Sequence, residues 1–151
     1  MKTKTIITEI EKDDLVNLFS TALYGSYIFG ALYDKNVYNT KCEVNEQDCF
    51  EDKLAKVLLA GYSIVVYDKY CEGDDEFYGA LPHTYDEFDE TMHYDVTLND
   101  IRNGLQSALD CDNKFIKTCA NDLIVDDACN LDLEEAEALM QYIVFGELIY
   151  G

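Results

Sequence analysis

The chain has 151 residues, enough for one domain that buries roughly two-thirds of its unfolded surface. Its 48% apolar and 13% aromatic content excludes a disordered acidic tail, although a net charge of −20 taken alone would suggest one. The same charge argues against nucleic acid and anionic membrane as direct partners.

The charge is unevenly placed. From Met1 to Lys69 eight basic residues face eleven acidic ones, net −3, whereas from Tyr70 to Gly151 three basic residues face twenty acidic ones, net −17. Such asymmetry creates a field on one part of the molecule that steers a basic partner toward it, the plain alternative being a solvated acidic face with no partner. The six cysteines (Cys42, Cys49, Cys71, Cys111, Cys119 and Cys129) contain no C-x-x-C pair. They read as reduced thiols of a cytosolic chain, most of them small buried hydrophobes. No apolar leader follows MKTKTIITEI, and no run of eighteen apolar residues occurs, so no membrane span is expected.

In chain order, Met1 to Ile10 alternate weakly and suggest a short strand or an arm. Asp13 and Asp14 precede Leu15, Leu18, Phe19, Ala22 and Leu23, whose spacing and acidic start predict a first helix ended or bent by Gly25. The aromatic segment Tyr24 to Tyr33 is expected to continue as helix or packed turn, and the Asn-rich Asp34 to Asp48 as loop. A second helix is predicted from about Gln47 to Ala60, with Gly61 as its cap. The β-branched and aromatic run Tyr62 to Tyr67 is the clearest strand. A returning antiparallel strand is expected at Thr91 to Val96, where Met92, Tyr94 and Val96 alternate with Thr91, His93 and Asp95. Thr97 and Asp100 then start a helix with Leu98, Ile101, Leu105, Ala108 and Leu109 on one face. Residues 111–131 are mixed. Asp132 and Glu135 start a last helix whose apolar spacing runs from Leu133 through Leu148 to the C-terminus. The fold class is α+β in a single domain, 1–151, with four or more helices packed on a short antiparallel β-hairpin.

Between the two predicted strands lies a long acidic excursion at about 71–91. From Cys71 to Asp95 the chain carries nine carboxylates, no Lys or Arg, and five Phe or Tyr rings (Phe77, Tyr78, Tyr85, Phe88 and Tyr94). A connection of that length is usually functional or mobile.

Catalytic and metal chemistry find little support. His83 and His93 are the candidate acid/base groups, paired with Asp86 or Asp95, but neither the pKa-tuning partner nor the substrate cradle that a general base needs is visible. The clusters Asp74-Asp75-Glu76 and Asp86 to Glu90 lack the alternating acids, central Gly and terminal Glu of a calcium loop. The expectation is a non-enzymatic protein without metal or cofactor.

The terminal residues Gln141, Tyr142, Phe145, Gly146, Glu147, Leu148, Ile149, Tyr150 and Gly151 form a Q-Y-x-x-F-G-E-hydrophobic-hydrophobic-Y-G pattern. The pattern resembles that of small acidic uncharacterised proteins of tailed phages and prophages of Gram-positive bacteria. Thr21, Ala22, Leu23 and Gly25 match a T-A-L-x-G segment of the same group, and Leu54 to Tyr67 its helix-to-strand passage. Together these blocks cover about half the chain. The family pattern has paired glycines, often a tryptophan, and shorter loops, where this chain has Gly25-Ser26, Ala60-Gly61, no tryptophan and the acidic excursion. The resemblance implies phage origin, a shared scaffold and residence in the cytoplasm of the infected host, and it supplies no catalytic residue.

Acids at matched separations can imitate the phosphates of a nucleic acid, which a protein grips with Lys and Arg. Small acidic phage proteins without an enzyme-like site are often inhibitors of host defence, so the resemblance implies, and the acids suit, inhibition of a host nucleic-acid-binding defence protein, such as a CRISPR effector or restriction enzyme, by occupying its basic groove. The candidate partner-binding residues are Asp74, Asp75, Glu76, Tyr78, Tyr85, Asp86, Glu87, Asp89, Glu90, Glu134 and Glu137. The alternative is an interaction or structural phage protein that binds itself or a host protein through the aromatics Tyr24, Tyr27, Phe29, Tyr33 and Tyr38, unless those rings are core.

Overall fold

The computed structural model describes residues 5–23, 25–125 and 131–151, so the readings placed on Met1 to Lys4, Tyr24 and Cys129 lie outside the described residues. Among the described residues six helices and one four-stranded antiparallel sheet form a single α+β domain. The helices are α1 (Lys12–Ala22), α2 (Lys35–Lys41), α3 (Phe50–Leu59), α4 (Leu98–Asp110), α5 (Lys114–Ile124) and α6 (Leu133–Val144). The strands are β1 (Phe29–Leu32), β2 (Ile64–Asp68), β3 (His83–Asp86) and β4 (Thr91–Val96), in the spatial order β1-β2-β4-β3.

The two expected strands pair as predicted, Ile64 opposite Val96 and Asp68 opposite Met92. Two more strands flank them. The glycine- and aromatic-containing segment after Gly25, expected as helix or turn, forms β1 against β2, with Phe29 opposite Asp68. The excursion contains β3, which turns back on β4 with Asp86 opposite Thr91. It is therefore a crossing coil plus a second hairpin, not one loop.

Side-chain alternation splits the sheet into a packed and an open face. Phe29, Ile64, Val66, Met92, Tyr94 and Val96 face the helices and are buried, while Val65, Tyr67, His93 and Asp95 lie on the other side, half-buried or exposed. Burying side chains of this size stabilises by about 1.5–3 kcal/mol each.

The helices start where their caps dictate. The Thr97 hydroxyl accepts from the Asp100 N–H at 3.2 Å while the Asp100 carboxylate accepts from Thr97 N–H at 2.9 Å, and Asp132 and Glu135 make the same reciprocal pair. The segment 34–48 is not all loop: the Asp34 carboxylate accepts from Asn36 and Val37 N–H and starts α2, whose Tyr38 is buried. Asn113 starts α5 in the same way, giving form to the mixed stretch. Residues 5–10 form an arm, held where the Gln106 side chain accepts from Ile7 N–H and donates to the Thr5 carbonyl.

Helix α6 is the central one, packed against α1, α4 and α5. Gly104 of α4 allows a close approach to α6: a Cβ there would come within 2.5 Å of the Ile143 Cα. The last helix does not reach the C-terminus. Gly146 takes a left-handed conformation at φ 80°, its N–H donating to the Tyr142 carbonyl, and the helix stops at Val144 because that left-handed turn leads the chain off the helical path. The tail folds back along α6.

Candidate partner-binding surface

Antiparallel register brings the start of β1, the end of β2, the end of β3 and the start of β4 to one end of the sheet. Segments leaving the strands there build a rim. It includes Ser26 to Ile28 before β1, Lys69 to Cys71 after β2, and the hairpin turn 87–90.

The turn is fixed by its own backbone. The Asp86 carboxylate accepts from the N–H groups of Phe88 at 2.9 Å and Asp89 at 3.2 Å, and Glu90 closes the four-residue turn at φ 56°. This left-handed glutamate is unusual for a residue with a side chain, and the hairpin closure accounts for it. Glu87, Asp89 and Glu90 are thereby exposed, with the Phe88 ring between them at 94% exposure. On the open face His93 Nε2 lies 3.0 Å from the Thr91 hydroxyl and 3.8 Å from the Asp86 carboxylate. The sequence had named the pair as a possible acid and base. Asp86 also shapes the turn through its two backbone bonds.

The second acid cluster is held by the crossing coil. The Cys71 thiol donates to the Gly73 carbonyl at 2.9 Å, Glu76 N–H donates to the same carbonyl at 3.1 Å, and Tyr78 donates its hydroxyl to Glu76 at 3.0 Å. Asp74 and Asp75 face solvent. Tyr78 itself is an anchor: its N–H donates to the Tyr94 hydroxyl at 3.0 Å and its ring meets Phe145 edge-on at 5.4 Å. Burial pushes the Tyr94 phenol up to about 12, so it stays neutral and available as that acceptor. Tyr85 on β3 is half-buried. Burial raises its phenol first, then the charge of Glu90, with Asp74 and Glu87 adding to the rise.

Of the two candidate acids on α6, Glu134 is exposed, whereas Glu137 accepts a hydrogen bond from the buried Ser26 hydroxyl at 2.7 Å. Ser26 in turn accepts from Ile28 and Phe29 N–H and, through its carbonyl, from Lys69 Nζ at 3.0 Å. Glu137 thus belongs to the β1 end of the rim as a joint between helix and sheet.

The rim borders a buried polar assembly. Asp68 is fully buried, accepting from the Tyr150 hydroxyl at 2.7 Å and from Tyr70 N–H at 2.8 Å. Burial raises its carboxyl above the ordinary range against the lowering by those two bonds. Gln141, also buried, accepts from Ile149 and Tyr150 N–H and donates to the Tyr150 carbonyl. The terminal Q-Y-x-x-F-G-E pattern therefore reads as a lock: Gln141 holds the tail, Phe145 fills the core, Gly146 turns the chain and Tyr150 reaches Asp68.

Sequence reasoning named Phe88 and Tyr27 without separating them from core rings. Phe88 at 94% and Tyr27 at 77% are exposed, whereas Phe29 and Tyr38 are buried and Tyr33 packs on the core edge. Position in a four-residue turn was the signal for Phe88, and it depends on β3 being recognised. The thiol expectation also needs correction: among the described cysteines Cys71 and Cys119 are buried, Cys42 and Cys111 are half-buried and Cys49 is exposed. Among the described residues no group of three His, Cys, Asp or Glu is placed to hold a metal, and no helix is long and apolar enough to cross a membrane.

No protein-family model matches the chain, and no curated protein or solved structure shows a significant similarity to it.

Proposed function

We propose that the protein is a phage-encoded, non-enzymatic inhibitor of a bacterial defence system, acting in the host cytoplasm as an acidic nucleic-acid mimic. It occupies the basic nucleic-acid-binding surface of its target, whether CRISPR effector or restriction enzyme. The observation that carries this reading is the rim: Glu87, Asp89 and Glu90 project from a turn pinned by Asp86, with Asp74 and Asp75 exposed on a neighbouring braced coil. Acids fixed in the free protein lose less ordering entropy on binding than acids on a mobile loop. Phe88 adds an apolar contact beyond charge.

The test is displacement of labelled duplex from a guide-loaded effector and from a restriction nuclease, measured across salt concentration. A mimic loses potency steeply as salt rises, as DNA binding itself does. Neutralising Glu87, Asp89, Glu90, Asp74 and Asp75 abolishes the displacement, and Asp86 is left intact because it shapes the turn. Inhibition indifferent to both salt and these substitutions would sink the mimic. It would favour the second reading, binding through exposed rings, for which Phe88 and Tyr27 are the remaining candidates.

A further inference from the structure

Helix α6 packs against α1, α4 and α5, and among the described residues Glu134, Glu137, Ala138 and Gln141 line a depression that Phe115 of α5 borders from the neighbouring helix. These four lie at i, i+3, i+4 and i+7, one stripe of an α-helix. The tail covers only the Gln141 end of it, through the bonds to Ile149 and Tyr150. What remains is a groove with Ala138 in its floor, Phe115 of α5 on one side and Leu148 of the tail on the other.

Two depressions of about 440 and 410 Å³ adjoin here, sharing Ile28, Glu137, Tyr150 and Gly151. Each is within the size range of sites that receive a side-chain cluster or small ligand. Exposed large apolar side chains gather along them: Tyr27 at 77%, Tyr70 at 53%, Phe115 at 44% and Leu148 at 38% exposure. Exposed apolar residues scattered singly mean little, but a contiguous rimmed set marks an interaction site. Among the described residues the charged side chains lining the two depressions are Glu134 and Glu137, with no Lys, Arg or His. Ser26 holds Glu137 in place.

We propose that this groove docks a peptide segment of a partner protein that carries apolar anchors flanked by Lys or Arg. Leu or Phe anchors at helical spacing fill the depressions, and the cations meet Glu134 and Glu137 in the manner of helix-in-groove recognition. A second copy of this chain is the poorer occupant, because it brings another net charge of −20 to an already acidic wall. The proposal does not rest on the mimic reading and concerns a surface distinct from the hairpin turn.

The experiment uses the full chain and fluorescein-labelled amphipathic peptides of Leu, Phe and Lys, read by anisotropy, against a matched set with Glu in place of Lys. The Lys set saturates, and Leu148→Asp, Tyr27→Ala and Glu134→Lys each weaken it by about tenfold or more. The joint substitution Glu87→Gln, Asp89→Asn, Glu90→Gln leaves it unchanged, which separates this groove at the β1 end of the rim from the hairpin turn. Should Leu148→Asp lower the melting temperature, Phe115→Ala and Tyr27→Ala, both at exposed positions, carry the same test. Equal binding of the Glu set, binding of neither set, or a wild-type dimer that Leu148→Asp dissociates overturns the proposal.

Discussion

The hairpin turn and the C-terminal tail use the same alphabet of carboxylates and aromatic rings for opposite ends. In the tail, Tyr150 reaches the buried Asp68, Gln141 satisfies two backbone N–H groups and one carbonyl, and Phe145 lies among Phe29, Tyr78 and Tyr94 at ring separations of 5.4–5.7 Å. In the turn, Asp86 satisfies two N–H groups and the remaining side chains face water. Composition alone does not distinguish the two; what differs is whether each polar atom has a protein partner. One region stabilises the fold and the other is free to meet a partner, and variants in each should separate the two roles.

The largest effect is expected at the centre of the aromatic cluster. Phe145→Ala removes a ring at 3% exposure that four others contact, and a loss of about 3–5 kcal/mol is expected in denaturant unfolding. A loss below ~1 kcal/mol would show that the tail is an ornament on a fold completed without it.

Gln141→Ala should come next. It leaves the Ile149 and Tyr150 N–H groups and the Tyr150 carbonyl without their buried partner, at a cost of about 1–3 kcal/mol. Hydrogen exchange at those two amides should accelerate more than exchange in β2 or β4, since release of the tail is local.

How much of this was legible in the sequence follows from the range of each signal. Capping boxes are local, so the starts of α4 and α6 were readable from Thr97 with Asp100 and from Asp132 with Glu135. The β-branched run of β2 and the alternation of β4 were equally plain. Strand β1 was not, because Phe29 to Leu32 has a glycine and no polar alternation, and its extended form comes from pairing with β2. Helix α5 carried a usable signal that went unread: Ile116, Cys119, Ala120 and Leu123 at i, i+3, i+4 and i+7 behind the Asn113 cap. The acid content of the candidate site was plain as well. Its assembly was not, since only register across four strands brings residues 26–28, 69–71 and 87–90 to one end. The continued apolar spacing to Leu148 concealed the reversal at Gly146.

Asp68 sharpens the comparison through pH. Its folded-state carboxyl is raised by burial above the ordinary 3.8, so the folded protein holds that proton more tightly than the unfolded chain does. Its stabilising contribution is complete below about pH 3.8 and is lost as pH rises through the folded value. Asp68→Asn keeps an acceptor for Tyr150 and Tyr70 while removing the titration. Stability measured across mildly acidic to neutral pH should decline less with rising pH in the variant than in wild type, and parallel curves would show that Asp68 does not titrate in this window.

The smallest stability effect, and the sharpest separation of roles, is expected at the turn. Phe88 is 94% exposed and meets no core residue, so Phe88→Ala should change stability by less than about 0.5 kcal/mol. Glu90→Gly relieves a left-handed conformation that costs a residue with a side chain about 1 kcal/mol, and should raise stability by up to that amount. Neither variant should disturb the amides of the tail. If the rim is the contact surface, both nevertheless weaken inhibition of the target, Phe88→Ala by losing an apolar anchor and Glu90→Gly by losing one acid. A turn variant that is more stable yet a poorer inhibitor would place function at this rim and stability at the tail. A Phe88→Ala variant that unfolds early while inhibiting normally would reverse the assignment.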